Sequence, residues 1–405
     1  MDAQPSQTAP ARGHTPTLIA SFLHFDVSFM LWVLLGALGI YIAESLGLSP
    51  SQKGLMVAIP ILSGSLLRIP LGLLSDRIGG KRVGIAMLSF LFLPLTIGWE
   101  MGDSLPAVLG VGLMLGTAGA SFAVALPLAS RWYPAHRQGL IMGITAAGNS
   151  GTVMANLLAP RLANAMGWHN VLAVAMIPLA VVLVAFVLLA RESPSRNTGK
   201  PVHHYLAALK QRDLWSFCAL YGVTFGGYVG LSSFLPIFLR DEHGVSKISA
   251  GYLTALCAFC GSAIRPLGGY LADRIGGTRM LSVLLIGIGA TYFALAQLPP
   301  LGVTIGILMA GMVCLGMGNG AVFQLVPQRF PLEIGIATGV VGAIGGLGGF
   351  LLPILLGNSK GATDSFGLGF AMLGVLSLGG LMLLGALAYF QMGWRRSWRE
   401  RVSER

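Results

Sequence analysis

The sequence predicts an all-α membrane protein of twelve transmembrane helices arranged as two pseudo-symmetric six-helix bundles. Three observations carry that prediction. Of 405 residues, 54% are hydrophobic and only 10% charged, against about 25% charged in soluble proteins. Twelve apolar runs are each long enough to cross a hydrocarbon core of about 30 Å. The stretch from Gly64 to Arg82 in the second run recurs 197 residues later as Gly261 to Arg279, with 11 of 19 positions identical.

The runs lie near 17–43, 54–75, 83–102, 105–130, 138–163, 168–190, 213–240, 248–272, 280–299, 301–327, 334–357 and 366–392. Residues 1–16 are polar, and the run that follows is too long for a signal-peptide core, so it reads as a retained first helix. The 57 glycines and 21 prolines pass through the apolar segments; membrane helices carry both because neighbouring helices satisfy the freed backbone groups. The long polar interruption from Arg191 to Arg212 contains Ser193-Pro194-Ser195 and Gly199-Lys200-Pro201 and reads as a linker. The expected organisation is therefore an N-terminal six-helix bundle (1–190), a cytoplasmic linker (191–212) and a C-terminal six-helix bundle with a basic tail (213–405).

The net charge of +11 follows the membrane. Apart from Arg68 and Arg265, 19 Lys and Arg fall on the side bearing the termini and 5 on the other, which makes the terminal side cytoplasmic under the positive-inside rule. The basic faces suit anionic lipid headgroups of the bilayer, and no nucleic-acid partner is expected. The cysteines Cys218, Cys257, Cys260 and Cys314 all sit in apolar segments, and Cys257-x-x-Cys260 lacks a second ligand pair. No metal or other cofactor is expected.

Arg68 and Arg265 occupy equivalent positions of the repeat, and their own segments offer no acidic partner. Each precedes its loop aspartate, Asp76 or Asp273, by eight residues, roughly 12 Å of helix, which is close to mid-membrane. A guanidinium there costs about 2.5–3.5 kcal/mol to insert. A lone arginine near an interface would snorkel or pair with a carboxylate; depth, duplication and lack of acidic neighbours point instead to a bound anion, which the planar guanidinium fork grips bidentately.

The 197-residue offset maps helix 2 onto helix 8, so the halves are parallel repeats, the arrangement of the major facilitator superfamily. The loops Gly72-x-x-x-Asp76-Arg77-x-Gly79-x-Lys81-Arg82 and Gly269-x-x-x-Asp273-Arg274-x-Gly276-x-x-Arg279 resemble that superfamily's signature, and they are assigned to gating and conformational stability. Helices 5 and 11 carry small-residue runs, Gly139 to Thr152 and Gly339 to Phe350. Helix packing accounts for most of these glycines, and no strand precedes either run as a dinucleotide fold would require.

With Ala147-Gly148-Asn149-Ser150-Gly151 and Gly342-Ala343-Ile344-Gly345-Gly346-Leu347-Gly348-Gly349 added to the two arginines, the chain resembles the nitrate/nitrite porter family of that superfamily over essentially its whole length. The resemblance implies nitrate and nitrite as substrates, with Arg68 and Arg265 clamping the anion and Asn149 and Tyr221 as neutral hydrogen-bonding groups. It also implies Gly148 and Gly345 at the border of the site, and Phe122 and Phe225 above and below a flat anion. On sequence alone those two phenylalanines read more readily as core than as site residues. The implied protein is a bacterial inner-membrane transporter, not an enzyme, and a monomer with both termini in the cytoplasm.

Asp26 is the one carboxylate well inside an apolar run, and it supports two readings: a residue facing water near the interface, or a proton carrier. Nitrate/nitrite antiport and nitrate/proton symport both remain open on sequence. So do a facilitator of another small anion, carboxylate or inorganic, and a transporter-like anion receptor.

Overall fold

The computed structural model describes residues 13–133, 141–142, 144–192, 209–330 and 334–395, and among these no strand forms. In chain order α1 comprises Thr15–Trp32, Leu34–Ala37 and Gly39–Leu46; α2 is Pro50–Ile78; α3 is Gly80–Met101. α4 is Leu105–Ser130, with a 3-10 stretch over Gly116–Ser121. α5 passes through a 3-10 turn at Ala147–Asn149 into Ser150–Met166, and α6 is Trp168–Leu189. The second half repeats the series: α7 (Arg212–His243), α8 (Lys247–Ala263 and Arg265–Ile275), α9 (Gly277–Leu295), α10 (Leu301–Arg329), α11 (Ile334–Thr363) and α12 (Gly367–Phe390). A single turn, Met392–Arg395, follows.

Ten of these spans are long and apolar enough to cross a membrane by length and composition. The other two are α1, interrupted at Val33 and Leu38, and α5, part of which falls outside the described residues. Residues 193–208 of the proposed linker, the tail from 396, and Gly139, Leu140 and Gly143 of the first small-residue run also lie outside them.

Helix ends differ from the apolar runs for local reasons. α2 starts four residues earlier than its run because Ser49 and Gln52 form a reciprocal capping box around Pro50. α9 stops at Leu295, short of the predicted 299, because Leu298 turns to a φ of 49° ahead of Pro299 and Pro300. Both signature loops turn on a glycine with positive φ, Gly79 at 107° and Gly276 at 94°. Glycine reaches that region without the steric cost other residues meet.

The two halves meet along two main seams, α2 against α11 and α5 against α8. Small residues set the approach: a Cβ at Gly54 would collide with the Pro353 carbonyl, and one at Gly251 would lie 2.6 Å from Pro160 Cγ. On the face opposite the termini, ion pairs join the halves. Lys53 of α2 donates to Asp241 of α7 at 2.6 Å, and Glu44 of α1 receives Lys247 of α8 and Arg240 of α7. On the terminal face Arg131 pairs with Asp76 inside the first half and Arg329 with Asp213 inside the second. Asp213 also accepts from the indole of the buried Trp394 at 3.0 Å, docking the last turn onto α7.

Candidate functional site

Arg68 is 1% exposed. Its Nε donates to the Gly119 carbonyl of α4 at 3.0 Å, and its Nη1 donates to the Gly342 carbonyl of α11, in the opposite half. The guanidinium carbon stands 5.0 Å from the ring centroid of Phe225, 5.3 Å from Phe122 and 5.4 Å from Trp32. Trp32 is itself held by a 2.7 Å bond from its indole N–H to the Pro60 carbonyl. Each desolvated cation–π contact contributes about 2 kcal/mol. Contacts within the protein therefore offset much of the insertion cost that the sequence assigned wholly to an anion. What they leave is Nη2, buried and without a hydrogen-bond partner.

Arg265 begins the second segment of α8, where Pro266 removes a backbone donor and breaks the helix at Ile264. It is partly exposed, lies 6.0 Å from the same Phe225 ring, and is near enough to Arg68 for the two charges to oppose one another. The structure thus brings the two arginines together over one aromatic ring, from opposite halves of the molecule.

Two further buried side chains predicted for the site carry polar atoms without a partner in hydrogen-bonding geometry. Tyr221 is fully buried, its ring stacked on Phe225 at 4.9 Å and edge-on to Phe323 at 4.8 Å. Its hydroxyl faces both guanidiniums but has no partner in hydrogen-bonding geometry. Asn149, in the 3-10 turn of α5, is 1% exposed, and neither amide atom is satisfied. Buried polar groups are ordinarily paired, so an unpaired hydroxyl beside two cations, with Arg68 Nη2 also unpaired, points to a place for a polar ligand.

The two phenylalanines are buried, Phe122 at 8% exposure and Phe225 at 1%, and both flank the Arg68 guanidinium. Gly345 lets Tyr221 in: a Cβ there would strike the Tyr221 ring. Gly148 faces the other way, against Phe25 and the Asp26 backbone of α1; its smallness serves the α1–α5 contact. The glycines nearest Arg68 on α11 are Gly342 and Gly346, where a Cβ would lie 3.7 and 3.6 Å from Nη1.

Asp26 lies roughly 16 Å along α1 at 1.5 Å per residue, partly buried in the α1–α5 seam, where it accepts from the Ser150 hydroxyl next to Asn149. His24, one turn before Ser28, is fully buried and bonded to Ser121 at 2.7 Å and to the Gly84 carbonyl at 3.3 Å. In the signature loops Asp76 pairs with Arg131, whereas Asp273 accepts from the Gln324 amide at 2.9 Å. Arg274 stacks over Tyr270 at 4.6 Å; Arg77 closes the last turn of α2.

Sequence reasoning passed over Trp32, Phe323 and the Gly119 and Gly342 carbonyls. A tryptophan and a phenylalanine in apolar helices look like packing, and a carbonyl has no signature in sequence.

The family model of the Major Facilitator Superfamily matches residues 20–353. The chain is 36% identical over 364 residues to a nitrite extrusion protein of Bacillus subtilis, covering 89% of this chain and 91% of that one. It is 35% identical to a probable nitrate/nitrite transporter of Mycobacterium tuberculosis, covering 87% and 91%. It is 32% identical to a probable nitrate/nitrite antiporter of Thermus thermophilus, covering 85% and 84%. Among solved structures, a bacterial homologue of the lysosomal transporter Spinster superposes with a TM-score of 0.66 at 21% identity, over 94% of this chain and 96% of that one. That likeness concerns the fold alone.

Proposed function

The chain belongs to the major facilitator superfamily and, within it, to the nitrate/nitrite porter family; on that premise we propose that it carries nitrate, with nitrite as the exchanged anion, across a bacterial cytoplasmic membrane by alternating access. The observation that carries this reading is the pair of arginines meeting over Phe225 with Arg68 Nη2 unpartnered. Two fixed charges in a low-dielectric cavity attract a small anion strongly, and a planar fork matches a planar oxyanion.

In this reading Arg68 and Arg265 clamp the anion, Tyr221 and Asn149 donate to its oxygens, and Phe122 and Phe225 bracket its plane. Gly345 permits the Tyr221 approach, and Gly148 seats the Asn149 turn on α1. The anion is moved without bond making or breaking, so no cofactor is needed. The bundles before and after the 191–212 linker rock about the site, with Asp76, Arg77, Asp273 and Arg274 stabilising the closed arrangement on the cytoplasmic face, where both termini lie. A single chain supplies the whole site, consistent with a working monomer. Exchange is favoured because a cavity holding two opposed guanidiniums returns more readily with an anion between them.

Proton symport is the second reading, and the placement of Asp26 against Ser150 beside Asn149 speaks for it. Counterflow of labelled nitrate in proteoliposomes decides between them. Exchange requires uptake to depend on internal nitrite and to move no protons; symport requires uphill uptake into vesicles lacking internal nitrite, driven by a proton gradient and lost without it. Competition by formate, chloride and bicarbonate tests the rival small-anion facilitator, and absence of any flux alongside saturable nitrate binding would leave only a receptor.

A further inference from the structure

We propose that Asn319 of α10 is a further substrate-contacting residue, a neutral amide that serves the Arg265 side of the cavity. The inference rests on the anion-transport reading above and adds a group to its site.

The repeat supplies the first argument. The 197-residue offset that relates Arg68 to Arg265 also relates Phe122 to Asn319. The packing follows the same offset: Gly72 of α2 sits on Ala123 of α4, and Gly269 of α8 sits on Gly320 of α10. Further along, Gly80 sits on Leu128 and Gly277 on Leu325. Phe122 packs on the Arg68 guanidinium. Its counterpart is therefore held by the same helix pairing beside Arg265, and there the chain has an amide in place of a ring.

The second argument is local. Asn319 has no exposed surface, and both Nδ2 and Oδ1 lack a hydrogen-bond partner. Its neighbours fix its depth: a Cβ at Gly318 would press on Thr224 of α7, and one at Gly320 would meet the Arg265 carbonyl. Asn319 thus lies at the level of Arg265 and of Phe225, next in sequence to Thr224. One helical turn further on, and so on the same face of α10, Phe323 touches both Tyr221 and Phe122, at ring separations of 4.8 and 5.9 Å. The face that carries Asn319 is the face that lines the site.

Chemically a primary amide brings two N–H donors without adding charge. A second neutral donor next to Arg265 raises affinity for an oxyanion without deepening the charge imbalance of the cavity. A carboxylate at this position would instead pair with Arg265 and exclude the anion.

Sodium nitrate titrated into the purified full chain, read by calorimetry and by the fluorescence of Trp32 beside Arg68, tests this together with nitrate counterflow. Asn319→Ala should weaken nitrate binding roughly tenfold, Asn319→Ser less, and Asn319→Asp should abolish it, while the melting temperatures stay near wild type. Near-wild-type binding by the Ala and Asp variants, in protein that remains monodisperse, overturns the assignment. If Asn319→Ala fails to fold, the nearly isosteric Asp variant and the Ser variant carry the test alone. Failure of the wild type itself to bind nitrate would overturn the transport reading and this inference with it, which separates the two failures.

Discussion

The two repeats carry the same arginine in different mechanical settings. In the first half, α2 runs unbroken through Arg68, whose guanidinium is tied to carbonyls of α4 and α11 and surrounded by three aromatic rings. In the second, Pro266 cuts α8 at Ile264, and Arg265 stands partly exposed at the start of a fresh segment with one ring beneath it. Moving the proline by a single place relative to the repeat, Pro70 in one copy and Pro266 in the other, changes which arginine is locked. Arg68 is bonded to main-chain carbonyls in both halves; in the proposed mechanism it is the fixed post, and Arg265, at the start of its broken helix segment, is the one that closes on the substrate.

The largest effect should come from exchanging each arginine for lysine. Both variants should lose transport by about a hundredfold or more, since a point ammonium cannot reproduce the fork and forfeits charge-assisted bonds of about 1.5–3 kcal/mol each. The comparison predicts a difference in stability. Arg68→Lys gives up the bonds to Gly119 and Gly342 and should melt lower than wild type, while Arg265→Lys should melt almost as wild type does. Equal melting temperatures with both functions lost would remove the distinction between post and clamp; near-normal nitrate flux in either variant would remove the clamp.

Tyr221→Phe and Asn149→Ala come next, each deleting one donor to a charged ligand. A tenfold or greater rise in the half-saturation concentration for nitrate is expected, with the maximal rate less affected. Tyr221 keeps its stack on Phe225 when the hydroxyl is removed, so its variant should be as stable as wild type. A drop in melting temperature with an unchanged half-saturation value would identify either residue as packing.

The contrast between the halves also explains how much the sequence revealed. The spans, the repeat and both arginines could be read directly, because a charge amid apolar residues is a strong signal and 11 identical positions in a window of 19 cannot hide. The difference between the arginines could not. It depends on the hydrogen bonds from Arg68 to two main-chain carbonyls, which any sequence would offer, and on whether Pro266 breaks a helix that Pro70 does not. Asn319 was legible in principle through the same offset that paired the arginines, but its counterpart is a phenylalanine, so the repeat conceals it unless the positions are aligned one by one. The family resemblance sets Gly148 at the border of the site; in a helix consecutive residues point about 100° apart, and beside Asn149 it faces Phe25 and the Asp26 backbone of α1.

Asp26→Asn follows, with an effect that depends on mechanism. Under exchange the variant should perform nitrate/nitrite counterflow within about twofold of wild type, since it keeps an acceptor for Ser150 and contributes nothing to charge in the clamp. Under symport it should lose uphill uptake and its pH dependence while counterflow survives. Brisk proton-independent exchange by wild type, matched by the variant, would confine Asp26 to the α1–α5 seam.

The smallest effect should belong to the ion pairs that join the halves opposite the termini, and they complete the comparison because each takes one partner from either repeat. Lys53–Asp241 is about one-fifth exposed on both sides, and Glu44 is nearly half exposed where it meets Lys247 and Arg240. Pairs this wet contribute about 0.2–1 kcal/mol, so Lys53→Ala should shift the balance between the two access states by no more than roughly fivefold. The shift has a definite direction: loosening this face favours the state open to it, raising labelling of a cysteine introduced into the cavity from that side. Lys53→Asp should do more than Lys53→Ala, because it sets like charges against each other, and adding Asp241→Lys should restore the wild-type balance. If the double variant labels like Lys53→Asp, the pair is not what holds this face shut, and the packing of Gly54 against Pro353 must carry the closure instead.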